Sequence, residues 1–168
     1  MLHNAKNLII DNIVSNLNNE GSMTVKEILK RKGDQVYSIH PDDTVYNAIK
    51  KMADLNIGAL IVLDKDDKLV GIISERDYRN KVILKGRASS DTPVKDIMAK
   101  QVFCVTSKDN VNLCMSLMTE KKIRHLPVLD GNKLSGMISI GDVVKSVIDK
   151  QKVEIDSLRN YIVGGYPG

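Results

Sequence analysis

The chain of 168 residues is poor in aromatic side chains: it contains no tryptophan, one phenylalanine and five tyrosines. Proteins that bind single-stranded nucleic acid usually stack the bases on aromatic platforms, so this scarcity argues against that class of partner. Lysine and arginine exceed aspartate and glutamate by only 25 to 21, a formal net charge of +4, and the basic residues are scattered along the chain. The composition therefore predicts no nucleic-acid partner.

Cysteine, histidine and long hydrophobic runs are also scarce. The two cysteines, Cys104 and Cys114, stand in apolar surroundings without a Cys-x-x-Cys spacing, and the three histidines are too scattered to suggest a metal site. The longest apolar run, residues 57–63, is far shorter than the ~20 residues that cross a bilayer. These absences predict a protein of the reducing cytoplasm, with no metal site and no membrane partner.

The sequence does contain an internal repeat. GIISERD (residues 71–77) and GMISIGD (residues 136–142) share glycine, serine and aspartate at the same spacing. The residues before them match at a shift of 66 positions, which places Val36 on Val102 and Met52 on Met118, with one deletion in the turn before the motif. A repeat of this length indicates two copies of one supersecondary unit.

Each copy has the same predicted order of elements. In the first copy, residues 37–39 form a short strand, residues 43–56 an amphipathic helix and residues 57–63 a buried strand. Residues 69–73 return as the second strand of a hairpin, and Ser74 begins another helix. The predicted unit is β-α-β-β-α, so the fold class is α/β. Because one unit alone would expose an apolar face, we expect the two copies to pack as a pseudo-twofold module.

These patterns also predict the domain boundaries. Residues 23–84 form the first repeat, residues 85–93 a polar linker with Gly, Ser and Pro, and residues 94–150 the second repeat. Residues 151–168 form a C-terminal helix and tail, where apolar residues four and three apart suit either helix pairing or a helix lying on its own module. Residues 1–22 end next to a Gly-Ser-Met junction of the kind that cloning leaves, so part of this segment need not belong to the domain.

The shared Gly-x-x-Ser-x-x-Asp motif allows two interpretations. Ser74 with Asp77, and Ser139 with Asp142, have the spacing of a capping box at a helix start. The same groups suit a nucleotide site, because a hydroxyl and free helix amides bind phosphate while a carboxylate one turn later accepts the hydroxyls of a ribose. An apolar slot at the start of the neighbouring strand would take the base. The motif by itself leaves both interpretations open.

Two tandem β-α-β-β-α units that each end in this motif, the second with Ile-x-x-Leu-Pro-Val at residues 123–128, resemble cystathionine-β-synthase (CBS) domains. The resemblance covers about residues 25–150, and the C-terminal end is similar to that of small stand-alone CBS-pair proteins. It implies a regulatory module that senses AMP, ADP, ATP, NAD(H) or S-adenosylmethionine in clefts between the two repeats and modulates an unidentified partner protein. It also implies a homodimer.

The family's ligand contacts can be carried over residue by residue. Asp77 and Asp142 would hold ribose hydroxyls, and Ser74 and Ser139 would face ribose or phosphate. The base slot of the first repeat would consist of Tyr37, Ile57, Gly58, Ala59 and Ile72. The slot of the second would consist of Phe103, Ile123, Arg124, His125 and Met137. Arg124 and His125 would reach phosphates in the facing cleft, and Arg76 and Arg79 are further candidates.

The remaining expectations concern charge and activity. Because Arg76 has Gly141 as its counterpart, the two clefts are not expected to be equally cationic. No catalytic motif accompanies the repeat, so we expect no enzymatic activity and no catalytic cofactor, with the adenine nucleotide as a regulatory ligand. The alternative function is a structural interaction module that binds no ligand and in which Ser-x-x-Asp only caps helices.

Overall fold

The elements predicted for the first repeat are present in the computed structural model, which describes residues 23–164, and those of the second repeat are present except for its first strand. The helices are α1 (Val25–Lys32), α2 (Val45–Leu55), α3 (Glu75–Lys81), α4 (Val94–Ile97), α5 (Val111–Glu120) and α6 (Ile140–Gly164). The strands are β1 (Ser38–Ile39), β2 (Ala59–Leu63), β3 (Leu69–Ser74), β4 (His125–Asp130) and β5 (Lys133–Ser139). The prediction for residues 1–22 lies outside the described residues.

The described residues fall into two units. Residues 35–104 form the continuous unit, and residues 23–34 together with residues 105–164 form the split unit. In the continuous unit β1 lies parallel to β2, and β2 pairs antiparallel with β3. Helix α2 connects the two parallel strands, because a parallel pair cannot be joined by a tight turn.

Short polar side chains set where the helices begin. At five helix starts in the described part of the chain a side-chain oxygen accepts a hydrogen bond from the backbone N–H three residues later: Thr24, Thr44, Ser74, Asn110 and Ser139. At Thr24, Ser74 and Ser139 an acidic residue returns the bond and completes a capping box. Ser74 and Asp77 therefore do form a capping box, as one of the two interpretations of the motif predicts. The cap leaves the second interpretation, a nucleotide site, open.

The sheet of the continuous unit has a core face and an opposite face. Leu60, Val62 and Ile73 lie in the core cluster with residues of α2. Side chains alternate along a strand, so Ile72 and Ser74 point the other way, and both are half-buried. The core thus holds β3 in the register that presents the candidate residues on the opposite face.

The split unit repeats this arrangement with one difference. Strands β4 and β5 pair antiparallel, with His125 opposite Ser139, and Val105 forms a single parallel bridge to Val128 where the other unit has β1. Helix α6 follows β5 directly and runs for 25 residues. The helix predicted after the second motif and the predicted C-terminal helix are therefore one continuous helix.

Each repeat is preceded in sequence by a short lead-in segment, residues 25–32 for the first repeat and residues 94–99 for the second. Each lead-in packs in the unit of the other repeat. Helix α1 precedes the first repeat in sequence, yet the amide of Val25 donates to the Asp109 carbonyl of the split unit. Residues 94–99 precede the second repeat, yet Ala99 exchanges two backbone hydrogen bonds with Ile72 of the continuous unit. The predicted boundaries follow the two copies of the repeat along the sequence. The structural units differ from these copies, because each unit contains the lead-in of the other copy.

Each lead-in places an apolar side chain against a glycine of the motif. A Cβ atom on Gly71 would lie 2.6 Å from Met98 Sδ and 3.1 Å from the Ala99 carbonyl oxygen. A Cβ atom on Gly136 would lie 2.7 Å from a methyl group of Leu29. The first residue of Gly-x-x-Ser-x-x-Asp is therefore a packing requirement for the lead-in segment.

We expect Gly71→Ala to lower the free energy of unfolding by about 1–3 kcal/mol, because the added methyl overpacks the core and meets a backbone oxygen. Gly141→Ala is the matched control, since its Cβ would meet no described atom nearer than Ser139 Oγ at 3.6 Å. Alanine in a helix should stabilise that variant by about 0.5–1 kcal/mol. Chemical denaturation of both variants tests this, and equal effects would contradict the packing argument.

Candidate functional site

The carboxylate of Asp77 is fixed at the start of α3. Ser74 donates to Asp77 Oδ2 from its amide at 3.0 Å and from its hydroxyl at 2.7 Å. Lys81 donates from Nζ to Asp77 Oδ1 at 2.7 Å and to the Ile97 carbonyl at 2.6 Å. The Asp77 side chain is 18% exposed, so this acid is half-buried and held by both a cap and an ammonium group.

Asp142 has the same cap in the split unit. Ser139 donates to Asp142 Oδ2 from its amide at 2.7 Å and from its hydroxyl at 2.9 Å. Lys32, the last residue of α1, donates to the same oxygen at 2.7 Å. Burial raises the pKa of the Asp142 carboxyl, but the hydrogen bonds from Lys32 and Ser139 outweigh burial and hold that pKa below its usual range. Asp142 is therefore ionised at neutral pH.

Each acid has one lysine, and the two lysines come from different places. Lys81 follows Asp77 by four residues on the same helix, whereas Lys32 is 110 residues from Asp142 in sequence. Lys32 belongs to the exchanged lead-in of the first repeat. Because each acid has one lysine, the lysines do not remove the difference in charge that the repeat predicts between Arg76 and Gly141.

His125 begins β4 opposite Ser139 and interacts with the Asp142 site. Burial lowers the pKa of the His125 imidazole, Lys32 and Arg124 lower it further, and Asp142 raises it. The net effect is a pKa below the usual range, which keeps the ring neutral at neutral pH. As a neutral ring, His125 could exchange hydrogen bonds with a ligand, but it would add no positive charge for a phosphate.

Lowering the pH from 7 to 5 is expected to destabilise the protein in part through His125. Its folded pKa lies below the unfolded value of about 6.5, so the unfolded chain binds more protons in this range. The stability present above pH 6.5 is then lost as the pH falls toward the folded pKa. Denaturation at pH 7, 6 and 5 should show a smaller loss for His125→Gln than for wild type, and equal losses would contradict the lowered pKa.

Two backbone pairings bring part of the predicted first base slot to Ser74. Ala59 pairs with Ser74 in the sheet register, and the Gly58 carbonyl accepts a hydrogen bond from the Glu75 amide. Ile72 lies two residues before Ser74 on the same face of β3 and is half-buried. Ala59 has no exposed surface, so it is fully buried beside Ser74 on the face opposite the core cluster.

The other predicted residues of the first repeat lie around these strands. Tyr37 and Ile57 are half-buried and pack against the core cluster. The Tyr37 carbonyl accepts the Ile61 amide, which ties this residue to β2. Arg76 is exposed in the first turn of α3. Tyr37 and Ile57 therefore contribute to the core, and Arg76 lies at the surface near Asp77 in sequence.

The residues predicted for the second slot do not all lie in one unit. Ile123, Arg124 and Met137 belong to the split unit with His125, where Arg124 is exposed and Met137 is half-buried. Phe103 is half-buried and belongs to the continuous unit. The structure therefore places four residues of the second slot in the same unit as Asp142, and Phe103 in the other unit.

A pocket of about 450 Å³ lies at the other end of the sheet in the continuous unit. Leu63 and Asp64, at the end of β2, line it together with His40, Asp43 and Lys51. None of the predicted site residues lines this pocket. Its polar groups already bond within the fold, as Lys51 Nζ does with the Ser38 carbonyl at 2.6 Å.

Between residues 23 and 164 there is no group of three or more histidine, cysteine, aspartate or glutamate side chains placed to hold a metal ion. Over the same residues no helix has both the length and the apolar character needed to cross a bilayer.

Known proteins are similar to this chain over most of its length. The CBS domain-containing protein CBSX3, mitochondrial, of Arabidopsis thaliana is 42% identical over 153 residues, 86% of this chain and 74% of that protein. A solved structure with CBS domains from Burkholderia ambifaria is 51% identical, has a TM-score of 0.74, and covers 77% of this chain and 96% of that one. The Arabidopsis name refers to mitochondria, so the cytoplasmic location stays a prediction.

Two more distant structures share the fold and contain adenosyl ligands. A CBS domain protein of Pyrobaculum aerophilum, complexed with AMP, is 23% identical with a TM-score of 0.64 over 71% of this chain and 89% of that one. The CBS domain pair of protein MJ0100, complexed with 5′-methylthioadenosine and S-adenosyl-L-methionine, is 24% identical with a TM-score of 0.69 over 77% and 98%. At these identities the likeness shows the fold.

The profile of the CBS domain matches residues 22–83 and residues 94–149. These two ranges are the two copies of the internal repeat, and together they make up more than half of the chain. The prediction of an α/β fold built from two CBS repeats is confirmed. This chain belongs to the CBS domain family.

Proposed function

We propose that this protein is a regulatory module that binds an adenosyl ligand at its Ser-x-x-Asp sites and transmits the bound state to a partner protein. The observation that carries the proposal is the pair of half-buried acids, Asp77 and Asp142, which stand at equivalent positions of the repeat and are each bonded by the serine of the motif and by one lysine. The AMP, 5′-methylthioadenosine and S-adenosylmethionine in the related structures support the adenosyl class.

The acids suit the two neighbouring hydroxyls of a ribose. Oδ2 of Asp142 accepts the hydrogen bonds from Ser139 and Lys32. Oδ1 would therefore be the oxygen that accepts a hydrogen bond from a ribose hydroxyl. A carboxylate offers about four lone-pair positions, and hydrogen bonds to an ionised acceptor are stronger than those between neutral groups. Because the cap already orients the carboxylate, a ligand need not order it.

The lysines beside the acids favour a phosphate on the ligand. An ammonium group has three donors, and Lys32 uses one of them on Asp142 while Lys81 uses two, on Asp77 and the Ile97 carbonyl. The remaining donors can reach a phosphate. A sulfonium would instead meet like charge, so we rank AMP, ADP and ATP above S-adenosylmethionine for this chain.

Half-buried apolar residues beside each acid would contact the base. Ile72 precedes Ser74 on the same face of β3, and Met137 precedes Ser139 on the same face of β5. The methionine thioether is flexible and polarisable, so it adapts to a flat ring. The two sites would therefore differ in the side chain under the base while sharing the contacts to the ribose.

The capping boxes also support a second function. Ser74 and Asp77 satisfy each other at the start of α3, which gives the motif a complete structural role without any ligand. A protein that used the motif only in this way would be a structural interaction module. It would not be stabilised by nucleotides.

A denaturation series with AMP, ATP, NADH and S-adenosylmethionine separates the two functions. A ligand at ~100 times its Kd should raise the free energy of unfolding by ~2.7 kcal/mol. Guanosine monophosphate is the matched control, since it keeps the ribose and phosphate and changes only the base. If none of the four ligands shifts the curve, the structural module is correct. NAD(H) binding and the absence of catalysis stay predictions.

A further inference from the structure

The imidazole ring of His125 lies beside the Asp142 site and has no hydrogen-bond partner within the described chain. His125 begins β4, is half-buried and stands opposite Ser139 in the β4–β5 register. No group of residues 23–164 hydrogen-bonds its ring nitrogens. Since no side-chain nitrogen of these residues is both fully buried and unpaired, the ring nitrogens reach solvent. The ring is therefore available to a molecule that binds at Asp142.

Three charged groups of the split unit act on this ring. Asp142 favours the protonated ring, whereas Lys32 and Arg124 oppose it, as does burial. Lys32 is bonded to Asp142 at 2.7 Å, so these two charges largely cancel and leave the exposed Arg124 as a net positive charge. The ring is thus kept neutral partly by positive charge, at a site to which a nucleotide would bring negative charge.

A phosphate on the ligand would reverse the balance of charge around the ring. A phosphate monoester carries about −1.5 to −2 charges at pH 7. It would offset the charges of Lys32 and Arg124, which oppose protonation of the ring, and it would accept a hydrogen bond from the protonated ring nitrogen. An opposite charge within about 4–6 Å shifts a pKa by about 1–3 units toward the charged form. Binding of such a ligand would therefore raise the pKa of the His125 imidazole.

The first site has no equivalent of this ring. At the shift of 66 positions that aligns the two copies, His125 corresponds to Ala59 and Arg124 to Gly58. Asp77 is bonded by a serine and a lysine in the same way as the acid of the second site. The acid, the cap and the lysine are therefore shared, while the imidazole belongs to the second site alone.

We propose that the second site is proton-linked: a phosphate-bearing adenosyl ligand binds at Asp142 together with a proton on His125. The inference rests on the proposed function, because it takes the Ser-x-x-Asp motif as the ligand site. The proton comes from solvent and stays on a ring nitrogen, which donates it in a hydrogen bond to a phosphate oxygen. The second site should therefore bind this ligand more tightly as the pH falls, and the first site should not.

Isothermal titration calorimetry with AMP measures the proton at each site separately. Asp77→Ala leaves the second site and Asp142→Ala leaves the first, and each variant is titrated at pH 7 in two buffers of different ionisation enthalpy. We expect uptake of more than about 0.5 proton per AMP at the second site and close to none at the first. Between pH 7 and pH 8 the Kd of the second site should rise about 3–10-fold. Adenosine, which lacks the phosphate, is the matched ligand and should bind without proton uptake.

Nuclear magnetic resonance of the wild type, labelled at histidine, observes the ring directly. The chain has three histidines, His3, His40 and His125, and replacing each in turn by glutamine assigns the resonances. Saturating AMP should raise the midpoint of the His125 titration by about 1–3 pH units. His40 is the internal control, because it is exposed and belongs to the continuous unit, and AMP should leave its titration curve unchanged.

Replacement of the ring supplies the matched control variant. Asp77→Ala combined with His125→Gln should bind AMP without proton uptake and with nearly the same Kd at pH 7 and pH 8. AMP binding without proton uptake, uptake that persists in this variant, or an unchanged His125 midpoint would overturn the proton link and leave the proposed function standing. Failure of the wild type to bind AMP at all would overturn both.

Discussion

The double variant Asp77→Ala, Asp142→Ala is expected to lose all of the stabilisation by AMP, ~2.7 kcal/mol at ~100 times the wild-type Kd. Each acid would supply the acceptor for the ribose hydroxyls, and alanine supplies none. Both substitutions also remove the acid of a capping box and with it hydrogen bonds that are each worth about 0.5–1.5 kcal/mol of unliganded stability. The ligand-induced shift must therefore be measured against the variant's own unliganded curve.

The single variants separate the two sites. Asp77→Ala and Asp142→Ala should each abolish binding at one site and leave the other, which isothermal titration would show as a halved stoichiometry. Asp54→Ala is the matched control: this acid is bonded to Lys50 at 2.7 Å in an exposed i, i+4 pair away from the motif. Full ligand shifts in the double variant would remove these acids from the binding site.

Much of the fold could be predicted because its signals are local or repeated. The cap at Ser74 follows from the spacing to Asp77, and the strand positions follow from apolar runs that occur twice. Each element of one copy supports the assignment of its counterpart. The predicted strand at residues 57–63 begins two residues late in the structure, since Gly58 uses its carbonyl to bond the start of α3.

The contacts that set the charge of the site were harder to predict. Lys81 could have been found, because it stands one helical turn after Asp77 on the same side of α3. Lys32 could not, since its approach to Asp142 depends on the exchange of the lead-in helices, and no periodicity records that exchange. The burial that keeps His125 neutral is likewise a tertiary property.

The exchange connects the candidate sites physically to the lead-ins. Lys32 at the end of α1 holds Asp142, and Lys81 bonds the carbonyl of Ile97 in α4 while it holds Asp77. A ligand that competes for either lysine would change the contacts of a lead-in helix. A ligand shifts the equilibrium between two conformations only as far as it binds one of them more tightly than the other. Here the two conformations would differ in whether the lysine holds the lead-in helix or the ligand.

Leu126→Ala is expected to lower the free energy of unfolding by about 2–5 kcal/mol, since it leaves a cavity in a core that relaxes only partly. Leu126 is 0% exposed and pairs with Ile138, whereas the next pair along the sheet, His125 with Ser139, faces the candidate site. The core pair therefore holds the register that presents Ser139. Chemical denaturation measures the loss, and a ligand titration should show weaker binding as well.

The control is Leu84→Ala, the same substitution at a side chain that is 71% exposed; surface changes of this kind stay within about 0.5 kcal/mol. Leu60→Ala tests the equivalent position of the continuous unit, where Leu60 is also 0% exposed and pairs with Ile73. If the loss at Leu126 were as small as at Leu84, the β4–β5 register would not depend on this core. Some other contact would then have to fix the positions of Ser139 and Asp142. The two sites would no longer be structurally equivalent, because equivalence requires that Leu126–Ile138 and Leu60–Ile73 stabilise their hairpins in the same way.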